Sequence, residues 1–181
     1  MIARLVATLL DMARSGGIDA LNIRPVAQRL GVSPRILYHH VRDKETMLGL
    51  LTDPILDGRL PDLSAPDWKS RLRSIARSVH RAYPDFPGSA AFILSRSANR
   101  LELPNALAIR RALLTAFEEA GLTRRQGEEM LVIFSVIVFG NVVVAESLED
   151  HHDRLAMQRD VVEAAFTRAI DMLLDAIHAI A

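Results

Sequence analysis

The chain has 181 residues, 22 Lys+Arg against 22 Asp+Glu, no cysteine, and half of its residues are apolar. That length fits one compact unit or a small domain joined to a larger one, with ample material for a core. The lack of cysteine excludes a disulfide framework, a thiol nucleophile and a thiolate metal site.

The N-terminus lacks the basic segment, apolar run and cleavage site of a secretory signal, so a cytoplasmic protein is expected. Charge is unevenly placed. Residues 1–44 hold seven Lys/Arg against three acids, and residues 126–181 hold three against ten. Any contact with nucleic acid is therefore expected at the N-terminal end.

Nearly every segment reads as helix, and the expected fold class is all-α. Ile2, Leu5, Val6, Leu9, Leu10 and Ala13 recur at helical spacing, and Gly16–Gly17 stops that helix. A short second helix carries Ile23, Val26, Ala27 and Leu30, with Asn22 as N-cap, Pro25 in its first turn and Gly31 at its end. Ser33 caps a third helix with Pro34 at its first position, where the missing N–H is no loss. Asp43 caps a fourth helix, expected to run to about Leu56. Gly58, Pro61, Ser64 and Pro66 mark residues 57–66 as a linker or bend.

Trp68, Leu72, Ile75, Val79 and Tyr83 form the stripe of the next helix, which Pro84, Pro87 and Gly88 break. A short helix is expected near Phe92. Pro104 opens a long helix closed by Gly121. Thr123 and Gln126 have capping-box spacing ahead of the longest apolar stretch, Met130 to Ala145. Ser135, Gly140 and Asn141 interrupt that stretch, and it falls short of the roughly 20 residues a bilayer span needs. A buried core or interface helix is expected there, with no membrane partner. The last helix, from about Asp153, shows Val162, Phe166, Ile170, Leu173 and Ile177. There is no alternating strand pattern and no internal repeat.

The informative segment is Asn22 to Lys44, NIRPVAQRLGVSPRILYHHVRDK. It comprises two short helices joined by a tight turn at Leu30–Gly31–Val32–Ser33, a helix-turn-helix. Gly31 can take positive φ there without steric penalty. Ala27 is small where the helices must approach, and Val26, Leu30, Val32, Leu37 and Val41 suit a small core with the first helix. Arg35, Tyr38, His39 and the edge of His40 are left projecting from the third helix. Such a helix fits the major groove of B-DNA, and its N-terminal residues reach base edges. Helix N-termini also attract phosphate. Arg24, Arg29, Arg35, Arg42 and Lys44 flank the motif against the single acid Asp43.

Residues 3–51, ARLVATLLDMARSGGIDALNIRPVAQRLGVSPRILYHHVRDKETMLGLL, resemble the tetracycline-repressor family. The resemblance is carried by the small-residue helix, the Leu-Gly-Val-Ser turn and the Leu-Tyr-x-His-Val stretch followed by Asp-Lys. A looser likeness extends to the Trp68 helix, the helix ending in Ala120–Gly121 and the apolar helix ending at Glu146–Ser147–Leu148–Glu149. The resemblance implies a three-helix DNA-binding domain over residues 1–46 and a helical effector-binding and dimerisation domain over residues 47–181. It implies a homodimeric regulator, most simply a repressor released from double-stranded operator DNA by a small molecule. It also implies DNA-facing roles for Arg24, Ser33, Pro34, Arg35, Tyr38, His39, His40 and Lys44. Arg29 and Arg42 read as solvated charges.

The family's pocket lies within the larger domain. Candidate walls here are Phe86, Phe92, Leu113, Phe117, Met130 and Phe134, with Arg96 and Asn99 as polar anchors. The founding repressors hold a metal–drug chelate with histidines; Leu60 and Ile93 fall near two of those histidines, and Phe139 and Gly140 near another ligand-binding region. The pocket is therefore expected to be apolar, and magnesium–tetracycline is not expected as its ligand. The dimer is expected to form as a four-helix bundle through Ile133, Val136, Ile137, Val144, Val162, Phe166, Ile170 and Leu173.

Other readings predict other features. A helical-bundle enzyme or carrier needs a constellation of reactive groups. The sequence has no Gly-rich phosphate loop, no Gly-x-Ser-x-Gly elbow and no His-Glu-x-x-His spacing. His151 and His152 are adjacent and point different ways on a helix, so neither a metal nor another cofactor is expected. A helix-turn-helix activator shares every DNA-facing feature above and differs only in regulatory sign.

Overall fold

The computed structural model describes residues 1–61, 65–95, 103–149 and 156–180, and among these the only regular elements are helices. Nine α-helices follow in order: α1 Ile2–Gly16, α2 Ile23–Leu30, α3 Pro34–Tyr38, α4 Lys44–Gly49, α5 Trp68–Ala82, α6 Ser89–Ser95, α7 Pro104–Glu119, α8 Arg124–Glu149 and α9 Ala156–Ile180. Short 3-10 turns lie at Ile18–Ala20 and Pro54–Leu56.

The head is built from α1 to α3. Leu5, Leu9 and Ala13 form the buried stripe of α1, which packs on α2 with its buried Val26, Ala27 and Leu30, and α2 in turn packs on α3, where Leu37 is buried. Ala27 and Val26 are wholly buried, and Val41 closes the cluster. The turn is set by Gly31, which adopts φ 70° and ψ 31°. Its N–H donates to the Gln28 carbonyl (3.1 Å), and the Val32 N–H donates to the Ala27 carbonyl (3.0 Å). These paired bonds satisfy the end of α2 in a Schellman arrangement. Asn22 and Ser33 hold the N-cap positions of α2 and α3 by backbone conformation alone, because neither side chain makes the capping hydrogen bond expected of it. Asp43 does cap α4, accepting from the Thr46 N–H at 2.7 Å.

The fourth helix is shorter than the sequence suggests. It ends at Gly49, and the chain tightens into i→i−3 bonds from Leu50 to Thr52 before the Pro54–Leu56 turn. Pro54 has no N–H to continue an α-ladder. The Thr52 hydroxyl also takes the Gly49 carbonyl at 2.8 Å, a local bond that competes with helix.

In the larger bundle α5 is central. Leu72, Ile75, Ala76, Val79 and Ala82 form its buried stripe, and Asp67 caps it by accepting the Ser70 N–H at 2.8 Å. Arg71 grips Glu119 through two bonds of 2.8 and 2.7 Å, tying α5 to α7. Arg73 reaches Asp171 on α9 (2.9 Å), and Arg110 of α7 reaches Glu128 of α8 (2.6 Å). The Thr123–Gln126 capping box starts α8, with the Thr123 N–H donating to Gln126 Oε1 at 2.9 Å.

Helix α8 runs for 26 residues. The helix from Arg124 to Leu148 is long and apolar enough to cross a membrane by length and composition, an 18-residue window of it having mean hydropathy 2.2. The sequence expectation of too short a stretch is corrected, because the helix continues past both ends of Met130–Ala145 and Ser135, Gly140 and Asn141 do not interrupt it. Only 17% of that window is buried within the chain.

Among the described residues, hydrogen bonds tie the head, and the turn that leaves it after α4, to the bundle at two places. The Ile18 N–H donates to the Pro87 carbonyl at 2.9 Å. A Cβ on Gly17 would lie 3.1 Å from that carbonyl oxygen, and one on Gly88 would lie 3.0 Å from Ile18 Cγ1. The two glycines, at φ 69° and 82°, let the α1 turn and the α5–α6 loop touch backbone to backbone. The second meeting place is the turn after α4, where Asp53 holds the start of α7.

Candidate nucleic-acid interface and effector cavity

Helix α3 turns only Leu37 fully inward. Pro34, Arg35, Ile36 and Tyr38 are exposed, as are Ser33, His39 and His40 around them; Tyr38 retains 54% of its surface. A tyrosine this open on a five-residue helix contributes little to the head's core, which is complete without it. Arg24 is exposed on the first turn of α2. Lys44 is half-buried and donates from Nζ to the Asp19 carbonyl at 3.3 Å. That bond lays the start of α4 against the 3-10 turn, on the same small domain as α3. Arg29 is exposed and pairs with Asp11 at 2.9 Å, and Arg42 is exposed, in keeping with solvated roles.

A cavity of about 640 Å³ lies among α5, α6, α7 and α8. Val79 and Tyr83 come from α5 and its end, Ile93 and Leu94 from α6, and Ala106, Ile109, Arg110 and Leu113 from α7. Helix α8 supplies Leu131, Val132, Phe134, Ser135, Val136, Val138 and Phe139, and Leu56 enters from the turn after α4. The Tyr83 and Phe139 rings meet edge to face at 5.1 Å. Arg110 is the sole charged side chain among these residues, and both oxygens of Glu128 already hold it, at 2.6 and 2.7 Å. The Ser135 hydroxyl donates back to the Leu131 carbonyl at 2.8 Å.

Of the walls expected from sequence, Leu113 and Phe134 line this cavity. Phe86 does not. It is buried at the head–bundle seam, with the Arg14 and Arg59 guanidinium carbons 5.1 and 5.9 Å from its ring centroid. Phe117 is fully buried, Phe92 and Met130 are half-buried, and all three pack into the common core outside the lining. Arg96 and Asn99 lie outside the described residues, as do His151 and His152. Ile93 and Phe139 line the cavity, whereas Leu60 is exposed away from it. The sequence reading missed Tyr83, Ala106, Ile109 and Arg110. The helical spacing of Ala106, Ile109, Arg110 and Leu113 on one face of α7 is a signal that could have found the last three.

The residues expected at a dimer interface divide into two sets. Ile133, Val136 and Val144 are exposed on α8, and Val132 with them; Ile137 and Val162 are partly covered. Phe166, Ile170 and Leu173 instead face the chain's own core. Phe166 stacks on His80 with centroids 4.0 Å apart, and His80 Nε2 meets Asn141 Oδ1 at 2.7 Å. Among the described side chains of α9, the large exposed apolar ones are Val161, Met172 and Ile180. An all-round apolar helix does not reveal by spacing which side meets its own chain. Among the described residues no cluster of three or more His, Cys, Asp or Glu is placed to hold a metal ion.

Family models match most of the chain. Residues 5–51 match the model described as bacterial regulatory proteins, tetR family, and residues 60–179 match the tetracyclin repressor-like C-terminal domain. A helix-turn-helix transcriptional regulator of Saccharopolyspora erythraea is 29% identical over 169 residues, covering 93% of this chain and 70% of that one. Of other curated relatives that it matches, the chain spans about half the length, 55%. A crystal structure of a TetR Q116A variant from Acinetobacter baumannii in complex with minocycline superposes with TM-score 0.83 at 23% identity, covering 98% and 96% of the two chains. A crystal structure of BioQ with its double-stranded DNA operator gives 0.81 at 22% identity, covering 99% and 98%. The chain belongs to the tetR family of bacterial regulatory proteins and is a non-enzymatic, helix-turn-helix transcriptional regulator.

Proposed function

We propose that the chain is a homodimeric repressor of the bacterial cytoplasm that binds a roughly palindromic operator and releases it when a small molecule fills the cavity. The observation that carries the DNA reading is α3, whose Arg35 and Tyr38, followed by His39, stand exposed on a head whose core is already complete. Arg24, Ser33, Pro34, His40 and Lys44 surround it as contacts to the sugar–phosphate backbone or base edges. BioQ with its operator shows a chain of the same fold on DNA. In this reading residues 1–46 read DNA and residues 47–181 dimerise and sense.

The exposed face of α8 supports the dimer. Val132, Ile133, Val136 and Val144 leave apolar surface uncovered, and a second α8–α9 pair related by two-fold symmetry would cover it as a four-helix bundle. A bilayer would also accept such a helix, but Phe134, Val138 and Val142 along it are buried within the chain. That one-sided exposure favours a partner chain over lipid on all sides.

The effector is a small, mostly apolar molecule. Among the described residues the lining offers aromatic and branched aliphatic surface, and its one charged side chain, Arg110, is already paired with Glu128. Pockets of this size and character take drug-sized ligands. Minocycline in the Acinetobacter structure is an effector-sized ligand on the same fold. Magnesium–tetracycline is not expected to bind here, and micromolar binding by calorimetry would reject the apolar reading. Mobility shift with fragments of the source genome tests the central claim. A specific, salt-sensitive complex is expected, and failure to retain any fragment would reject it.

A further inference from the structure

The turn after α4 does more than join the head to the bundle. The α7 N-cap, Leu103, supplies no side-chain hydrogen bond, and Pro104 brings no N–H of its own. The next two N–H groups of the helix are taken by one carboxylate from far earlier in the chain. Asn105 N–H donates to Asp53 Oδ2 at 3.1 Å, and Ala106 N–H donates to Asp53 Oδ1 at 3.0 Å. The Asn105 side-chain amide donates in return to the Asp53 carbonyl (3.2 Å) and to Asp57 Oδ1 (2.7 Å). Four bonds thus clamp the first turn of α7 to the segment that leaves the head. A carboxylate taking two N–H groups at a helix start is charge-assisted and geometrically specific. Such a clamp moves as a unit rather than sliding.

The clamp also borders the cavity on both sides. Ala106 is one of its members and Leu56 lies three residues beyond Asp53; both line the cavity. We propose that Asp53 is the positioning residue that couples the cavity to the DNA-reading head, by fastening the α7 wall to the end of the α4 segment. This rests on the DNA-binding and effector reading above. A molecule wedged between Leu56 and α7 shifts the clamp, and the clamp shifts the base of the head. Coupling of two sites is reciprocal, so occupancy of the head must in turn alter the first turn of α7. The other meeting place, Ile18 with Pro87, does not involve Asp53 and serves as an internal reference.

The test is amide hydrogen exchange on the full chain, free and saturated with a duplex that it selects from a random-sequence pool, for the parent and for Asp53→Asn. Duplex binding is expected to slow exchange in residues 104–113 of the parent by at least about 5-fold, and by less than about twofold in the variant. Residues 23–38 should stay protected by the duplex in both proteins, and residues 89–95 should respond alike. A loss of stability alone would speed exchange with and without DNA and leave that ratio unmoved. A parent whose residues 104–113 ignore the duplex overturns the proposal. So does a variant that keeps the parental response, or one that no longer binds the duplex, since a coupling residue leaves each site intact. A parent that retains no duplex from the pool defeats the DNA-binding reading itself, and the proposal with it.

Discussion

The head and the α8–α9 pair use apolar residues in opposite ways. In the head one small core is closed by Leu5, Leu9, Val26, Leu30 and Leu37, and apart from Ile2, Ile36 and Tyr38 what remains outside is mostly polar or basic. Along α8, apolar residues occupy both sides, with Phe134, Val138 and Val142 inside and Val132, Ile133, Val136 and Val144 outside. The head is finished as a fold and offers polar groups for recognition. The α8 face is unfinished, and its apolar surface is itself what a partner would recognise.

The sharpest way to break this contrast is to place a charge on each side of the α8–α9 pair. Phe166→Glu buries a carboxylate where the side chain is 6% exposed and stacked on His80. It is expected to destabilise the fold by at least about 3–5 kcal/mol from lost packing alone, with an added penalty for the buried charge; thermal melting monitored by circular dichroism measures it. Val144→Glu lies at a position 49% exposed within the chain and outside the cavity lining. It should leave the helical fold intact, convert the dimer to monomer in light scattering, and weaken operator binding on the order of 100-fold by separating the two heads. A Val144→Glu protein that remains a dimer would show that the α8 face is not the interface.

In the head the contrast predicts recognition without stability. Arg35→Ala and Tyr38→Ala should each weaken operator binding by about 1–3 kcal/mol while leaving the melting temperature nearly unchanged. Unchanged affinity in both variants would remove α3 from the interface. Gly31→Ala should do the converse. Its Cβ would meet nothing within 4 Å, so the effect is purely that of φ 70°, about 1–2 kcal/mol of stability.

The smallest effect concerns acid stability. The Ser70 backbone N–H bonded to Asp67 holds that carboxyl below its ordinary value. Because the folded value is depressed, the stabilisation is fully present above the unfolded value of about 3.9 and is lost as pH falls through the folded one. The difference in melting temperature between the parent and Asp67→Ala should therefore shrink toward zero on acidification. A difference that persists in acid would assign the residue another role.

These features differ in how far the sequence revealed them. The head was legible almost residue by residue, because Gly31 specifies its turn and a short helix with one buried residue leaves little choice of face. The capping box at Thr123 was equally plain. Asn22 and Ser33 were only half legible: their positions follow from the sequence, but their side chains make no cap. The cavity was read poorly. Phenylalanines attract attention as pocket walls, yet Phe86 fills the seam with the head and Phe117 the core, while Phe134 lines the cavity together with Ala106, Ile109, Arg110 and Leu113 on one face of α7. Phe166, Ile170 and Leu173 have the same spacing whether they face their own chain or another. Only the position of α5, which brings His80 against Phe166, decides between the two.

The glycine seam has a consequence for building hybrid regulators. Exchanging heads between relatives by one cut in the linker treats the first 46 residues as a cassette. Here Gly88 is within 3.0 Å of Ile18 once a Cβ is drawn, and Gly17 presses on Pro87, so the cassette has a matching socket some 70 residues downstream. A foreign head with a bulkier residue in place of Gly17 or Ile18 would be pushed off its seat. The transplantable unit is therefore a mosaic, in which residues 84–88 and the turn around Asp53 travel with the head to keep its seating in a new host.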